Sequence, residues 1–216
     1  DPAAQRFFAE ALARARARRT AGDLPGAWRE LRTGLDAPAE YSTAASAAKF
    51  LENTAAGTPP AGRPVRRVAL IGADTLTFLR PILRALAFRD GWWPVFYEAP
   101  FGAWRQELLD PNSVLRNFKP EVTLVLRGWR GAAEGQLDAA RLAEEEISLA
   151  RRAGEGLGEV IWPGYDLPDG NPALRTALLG VNPQVRAALP PGMLWLDLAE
   201  LQAALGESWR ANAGEA

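Results

Sequence analysis

Residues 65–126 constrain the fold more than any other stretch. Val68 to Ile71 is a short apolar run closed by Gly72, which suits a buried strand feeding a tight turn. Leu79, Ile82, Leu83 and Leu86 then repeat at the spacing of one helical face. Pro81 fits that helix only in its first turn, where the missing N–H costs nothing, with Asp74, Thr75 and Thr77 placed to cap it. Gly91 ends the helix, Pro94 to Tyr97 reads as a second strand, Ala103 to Leu109 as a short helix and Val122 to Leu126 as a third strand. This alternation predicts a parallel sheet with right-handed crossovers. Ligand sites in such sheets lie at the carboxyl ends of the strands. Here those ends are Gly72-Ala73-Asp74-Thr75, Glu98-Ala99-Pro100-Phe101 and Arg127-Gly128-Trp129.

Upstream, residues 3–19 favour a helix rich in Ala, Arg and Glu, with Phe7, Phe8 and Leu12 on its apolar side. Arg14, Arg16, Arg18 and Arg19 crowd its far end, either as a basic patch for phosphate or an acidic partner, or as a solvated helix end. Leu24, Ala27, Trp28, Leu31 and Leu35 form a second amphipathic stripe, with Trp28 expected against the first helix. A third helix covers roughly 38–53. Residues 1–54 thus read as a helical cap, the Pro/Gly-rich 55–65 as a linker, 66–209 as the α/β domain and 210–216 as a frayed tail.

Downstream, Leu137, Ala140, Ala143, Ile147 and Ala150 mark a helical face, with Glu144 to Glu146 expected on or near its solvent side. Gly154, Gly156 and Gly158 follow a helix and precede a strand, the reverse of a dinucleotide-binding turn. Glu159 to Trp162 is a fourth strand and Met193 to Leu198 a fifth. Two short helices, 172–178 and 183–189, lie between them, and Ala199 to Leu205 forms a last helix. The fold class is therefore α/β, a three-layer, flavodoxin-like parallel sheet of about five strands with an N-terminal helical cap.

The chain has no cysteine and no histidine. That removes thiolate chemistry, the commonest general base and the commonest metal ligands, and no cofactor or metal is expected. A net charge of −1 gives no general pull toward nucleic acid, and no apolar run is long enough to span a bilayer. Only Lys49 and Lys119 among the 25 basic residues are lysines, which with much alanine and 17 prolines fits a GC-rich bacterial source, and the expected location is cytoplasmic. The chain opens on Asp1, as a piece of a longer reading frame would.

Several short runs together carry a resemblance: Gly72-Ala73-Asp74-Thr75, Tyr97-Glu98-Ala99-Pro100-Phe101-Gly102, Leu109-Asp110-Pro111-Asn112-Ser113, Phe118-Lys119-Pro120-Glu121, Val181-Asn182-Pro183 and Leu196-Asp197-Leu198. The chain resembles the N-terminal region of FkbH-like proteins over most of residues 1–207. In those proteins an SGNH-hydrolase-like domain precedes a domain of the HAD superfamily (subfamily IIIC). The resemblance implies a role in polyketide-type biosynthesis, in which a three-carbon or acyl unit is delivered to an acyl carrier protein. The Asp-x-Asp-x-Thr loop of the HAD half is absent from this sequence, so a downstream HAD domain becomes a possible partner.

SGNH hydrolases need a serine after the first strand, an asparagine after the third and an Asp-x-x-His pair near the end. Here Thr75 alone offers a hydroxyl, Arg127-Gly128-Trp129 has no asparagine, and Asp197 is followed by Leu198, Ala199 and Glu200. No serine-hydrolase triad can be assembled. The leading expectation is a non-hydrolytic accessory domain that binds a carrier protein or a small anionic, acyl or phosphate ligand. The alternatives are a degenerate esterase or acyltransferase using Thr75 with Asp74, and a structural interaction module. The expected ligand-binding residues are Asp74, Thr75, Glu98, Phe101, Arg127 and Arg130. Arg127 in particular is expected at the lip of the sheet, paired with Asp74 or Glu98. The dense aromatics Trp92, Trp93, Phe96, Tyr97, Phe101 and Trp104 read either as a ligand platform or as core.

Overall fold

A computed structural model describes residues 1–36, 40–55, 59–73, 76–132 and 138–206. The elements run α1 Pro2–Thr20, α2 Leu24–Leu35, α3 Tyr41–Ala55, β1 Val65–Gly72, α4 Leu79–Arg89, β2 Trp93–Glu98, α5 Trp104–Leu109 and α6 Val114–Phe118. Then come β3 Val122–Leu126, a 3-10 turn Trp129–Ala132, α7 Ala139–Gly154, β4 Glu159–Pro163, α8 Pro172–Ala187, β5 Leu194–Leu196 and α9 Leu198–Leu205. The sheet order is β2-β1-β3-β4-β5, all parallel and flanked by helices, a three-layer flavodoxin-like arrangement. Among the described residues no helix is long and apolar enough to cross a membrane.

The chain forms two compact units, Asp1–Arg66 with Thr77–Val95, and Arg67–Leu76 with Phe96–Ala216. In the first, Phe8, Leu12, Leu31, Leu35, Phe50 and Leu51 share a core with Ala85 and Phe88 of α4 and with Trp93. The helical layer therefore takes in α4 as well as the three helices that precede the linker. Trp28 packs on this shared core, which includes Phe8 and Leu12 of α1, and lies edge-on to Phe50 and tilted on Phe88, at 6.0 and 5.6 Å between ring centroids. Arg63 is held on the same unit, its guanidinium 3.9 Å over the Phe88 ring and donating to the Phe88 carbonyl.

Local chemistry sets the helix ends. Asp23 caps α2 by accepting from Gly26 N at 2.8 Å, and Asp138 caps α7 by accepting from Ala140 and Arg141 N. Phe78 precedes α4 and gives it no side-chain cap; Asp74 and Thr75, expected there as caps, lie outside the described residues. Pro81 does fall in the first turn. Pro183 does not break the chain into two helices as expected: α8 runs through it. The carbonyl that Pro183 leaves without a donor is that of Leu179, one turn back on the same exposed face, where solvent can satisfy it.

In the second unit, Ala69, Ile71, Val125, Val160 and Trp162 of the strands pack with Leu108, Leu115, Ala150, Leu178 and Val181 of the helices. Full burial of each large aliphatic side chain contributes about 1.5–3 kcal/mol. Strands β1 and β3 run in register from Val68 opposite Val122 to Gly72 opposite Leu126. A Cβ at Gly72 would sit 1.6 Å from the Leu126 carbonyl oxygen, so only glycine allows this approach at the carboxyl end of the pair.

Candidate functional site

The chain runs from β1 out to β2 and returns to β3 on the other side of β1. The topological switch point therefore lies between β1 and β3. At its mouth Ala73 N donates to the Leu126 carbonyl at 3.0 Å. Asp74 and Thr75, the next two residues, lie outside the described residues.

Arg127 follows β3 and continues its alternation. Thr123, Val125 and Arg127 are all buried, because residues two apart on a strand share one face. That face is the one covered by α7. Arg127 is accordingly 3% exposed and its guanidinium meets the carboxylate of Glu146, which is fully buried. This corrects two expectations: Arg127 is buried beneath the lip and paired with Glu146, and Glu146 is not on a solvated face. Glu144 and Glu145 do remain exposed, the latter bonded to Arg141 one turn away.

The pair is closely enclosed. Arg127 Nη2 donates to the Pro163 carbonyl at 3.1 Å, and its guanidinium carbon lies 4.9 Å over the Trp162 ring and 4.5 Å over the Tyr165 ring. Tyr165 donates its hydroxyl to Glu146 Oε1 at 2.7 Å. Asn182 on α8 brackets the backbone of Tyr165, accepting from its N–H at 2.8 Å and donating to its carbonyl at 2.9 Å. Burial pushes the Arg127 guanidinium below its ordinary pKa, and the neighbouring Tyr165 acts in the opposite direction. With so little surface, Arg127 and Glu146 fasten the β4 end and its loop to α7 from below, while Asn182 fastens the same loop to α8.

Above them the turn after β3 closes on the turn after β4. Trp129 N–H donates to Asp166 Oδ1 at 3.0 Å. Arg130 is exposed, its guanidinium 5.4 Å from the ring of Trp129. Glu98 ends β2 half-buried and hydrogen-bonded or paired, and Phe101 is 80% exposed. Glu98, Phe101 and Arg130 thus all lie at or just past the strands' carboxyl ends, whereas Arg127 lies beneath. The aromatic run divides: Trp93 joins the core of the first unit, Trp104 that of the second, and Tyr97 packs against the second, 5.6 Å from Phe118. Burial, with a hydrogen bond to Glu107, pushes the Tyr97 phenol well above its ordinary range.

Asp197 is committed to structure. Its Oδ1 accepts from Glu200 N at 3.0 Å as the cap of α9, and its Oδ2 accepts from Trp195 Nε1 at 3.3 Å. Among the described residues no group of three or more acidic side chains is placed to hold a metal ion.

Glu146, Tyr165, Asp166 and Asn182 are the residues that sequence reasoning missed. For Glu146 a signal existed: Ala143, Glu146, Ala150 and Ala153 recur at the 3 and 7 spacing of one buried stripe.

No protein-family model matches the chain, and no curated protein matches it. Among solved structures it is similar to the N-terminal part of the protein BF1531 from Bacteroides fragilis, a crystal structure containing a phosphatase domain complexed with Mg. The two share 17% identity and a TM-score of 0.66 over 79% of this chain and 48% of that one. The chain thus spans about half the length of that neighbour, and at this identity the likeness establishes a shared fold.

Proposed function

We propose that the chain is a non-hydrolytic binding domain of an FkbH-like biosynthetic protein, working in the cytoplasm beside a phosphatase-type domain. It recognises an acyl carrier protein or a small acyl or phosphate ligand at the carboxyl ends of its strands. The observation that carries this reading is the bond from Trp129 N–H to Asp166. Acyl transfer needs free N–H donors where negative charge develops. Here the amide in the turn after β3 is given to a carboxylate, which repels such charge. The absence of histidine removes the usual base as well. Ligand contact then falls to Asp74, Thr75, Glu98, Phe101 and Arg130 around the crevice. The structural neighbour, with its phosphatase domain, supports a module that accompanies catalysis done elsewhere.

Two measurements test the proposal. Incubation with p-nitrophenyl acetate and butyrate should give no turnover above that of a Thr75→Ala variant. Titration of an acyl carrier protein into the chain should give saturable binding that Phe101→Ala weakens. Turnover abolished by Thr75→Ala would instead establish the degenerate esterase, and a carrier protein that does not bind would remove the partner.

A further inference from the structure

The four arginines at the end of α1 do not share one environment. Arg14 and Arg18, four residues apart, lie on the face toward α2. There Glu30 accepts from both, at 2.8 and 3.1 Å, and Asp23 accepts from Arg18 at 2.8 Å. Arg16 and Arg19, three apart, lie on the face toward α3. Opposite them α3 presents Ser46, Lys49, Phe50 and Asn53, which recur at the spacing of a single helical face. These six residues line a cleft of about 280 Å³, and none of them is acidic.

Among the described residues, Arg16, Arg19 and Lys49 form no ion pair. Arg19 is nevertheless held in place, donating to Thr54 Oγ1 at 3.3 Å with its guanidinium carbon 5.3 Å over the Phe50 ring. The C-terminal dipole of α1 accounts for cations in its last turn, Arg18 and Arg19. It does not account for Arg16, a turn earlier, or for Lys49 in the middle of α3. In a chain with 26 acidic residues for 25 basic ones, three cations around one concavity without a carboxylate repel each other, a cost that a bound anion relieves.

We propose that this cleft between α1 and α3 binds the phosphate group of a small phosphorylated molecule. Arg19 is the preorganised fork, Arg16 and Lys49 supply converging charge, and the Ser46 hydroxyl and Asn53 amide add neutral donors. Its volume lies just below the range of drug-sized sites, which favours a phosphate ester over a stretch of acidic protein. The site belongs to the first unit alone and is independent of the strand-end reading above.

The test is calorimetric titration of the whole chain with inorganic phosphate, pyrophosphate and phenyl phosphate at constant ionic strength. Saturable binding is expected, weakened about tenfold by Arg16→Gln and by Lys49→Gln, each removing one charged hydrogen bond. Arg14→Gln, on the neutralised face, should leave binding unchanged. All three positions are exposed, so each variant should melt close to the parent. No saturation with any of the three probes overturns the proposal. So does equal weakening by Arg14→Gln, which would signal only a diffuse field. Binding of poly-glutamate through Lys49 without binding of phosphate would make the cleft a protein-docking surface and overturn the small-ligand assignment.

Discussion

Glu146 shows how much a single buried charge decides. Ionised side chains are rarely fully buried unless paired, so a run of three glutamates reads from sequence as a solvated face. The helical stripe through Ala143, Ala150 and Ala153 outweighs that rule here, because Arg127 arrives from β3 to meet the one glutamate that the stripe includes. Desolvating both charges offsets most of their attraction, so the pair itself adds little net stability. Removing one partner is another matter, since it strands a bare charge in the core. Glu146→Ala and Arg127→Ala should each cost about 3–5 kcal/mol in denaturant unfolding. The double replacement Arg127→Met with Glu146→Leu should cost much less than the sum of the two. Additive losses in that double-mutant cycle would show that the groups do not act as a pair.

Elements were legible wherever hydrophobic period and capping residues agreed. Strands β1, β3 and β4 and the helices α1, α2, α5 and α9 fall close to where their apolar spacing puts them. Failures came where a local rule met a tertiary exception. Pro183 reads as a helix breaker, yet its missing bond lands on a solvent-facing carbonyl, so α8 continues. Trp28 is legible as a packing residue of the helical layer but its contact with Phe88 is not, because α4, lying beyond the linker, supplies that ring. At the junction of α1 and α2, Asp23 caps the second helix and pairs with Arg18, while Glu30 holds Arg14 and Arg18. The bond from Gly26 N–H, and then that from Arg18, holds the Asp23 carboxyl below its ordinary pKa. Arg14 first and Arg18 second do the same for Glu30. A carboxylate whose folded pKa is depressed contributes stability above its unfolded pKa, near 4, and loses it as pH falls through the folded value. Melting temperature should therefore drop below about pH 4 in the parent. The difference between parent and Asp23→Ala should be full near neutrality and shrink through the same acid range. A gap that stayed constant down to pH 2 would show the carboxylate to be energetically idle.

On the scale of the molecule, the Pro/Gly-rich stretch at 55–65 marks a break in chain rhythm but not the end of the first core. Ala85 and Phe88 of α4 and Trp93 at the start of β2 complete the core begun by α1, α2 and α3. These three lie 20 or more residues beyond the linker, and no local pattern in α4 announces which layer it will join. Its apolar face is equally compatible with a sheet or with other helices. Within the linker, Arg63 is fastened to Phe88 by a hydrogen bond and by its position over the ring. A tryptic cut there requires the guanidinium to leave both, so Arg63 should resist cleavage in the native protein more than exposed arginines such as Arg175. A chain cut anywhere in 55–65 still has its first unit held by the Phe8–Leu31–Phe50–Phe88 core, so nicked protein should elute as an intact particle. Residues 66–216 expressed alone present Ala85, Phe88 and Trp93 without the helices that bury them. That fragment should bind a hydrophobic dye such as ANS and aggregate, whereas the whole chain should do neither. If residues 66–216 instead remain monomeric, dye-silent and cooperative in melting, the α/β domain is complete without the helical layer and the linker is a true domain boundary.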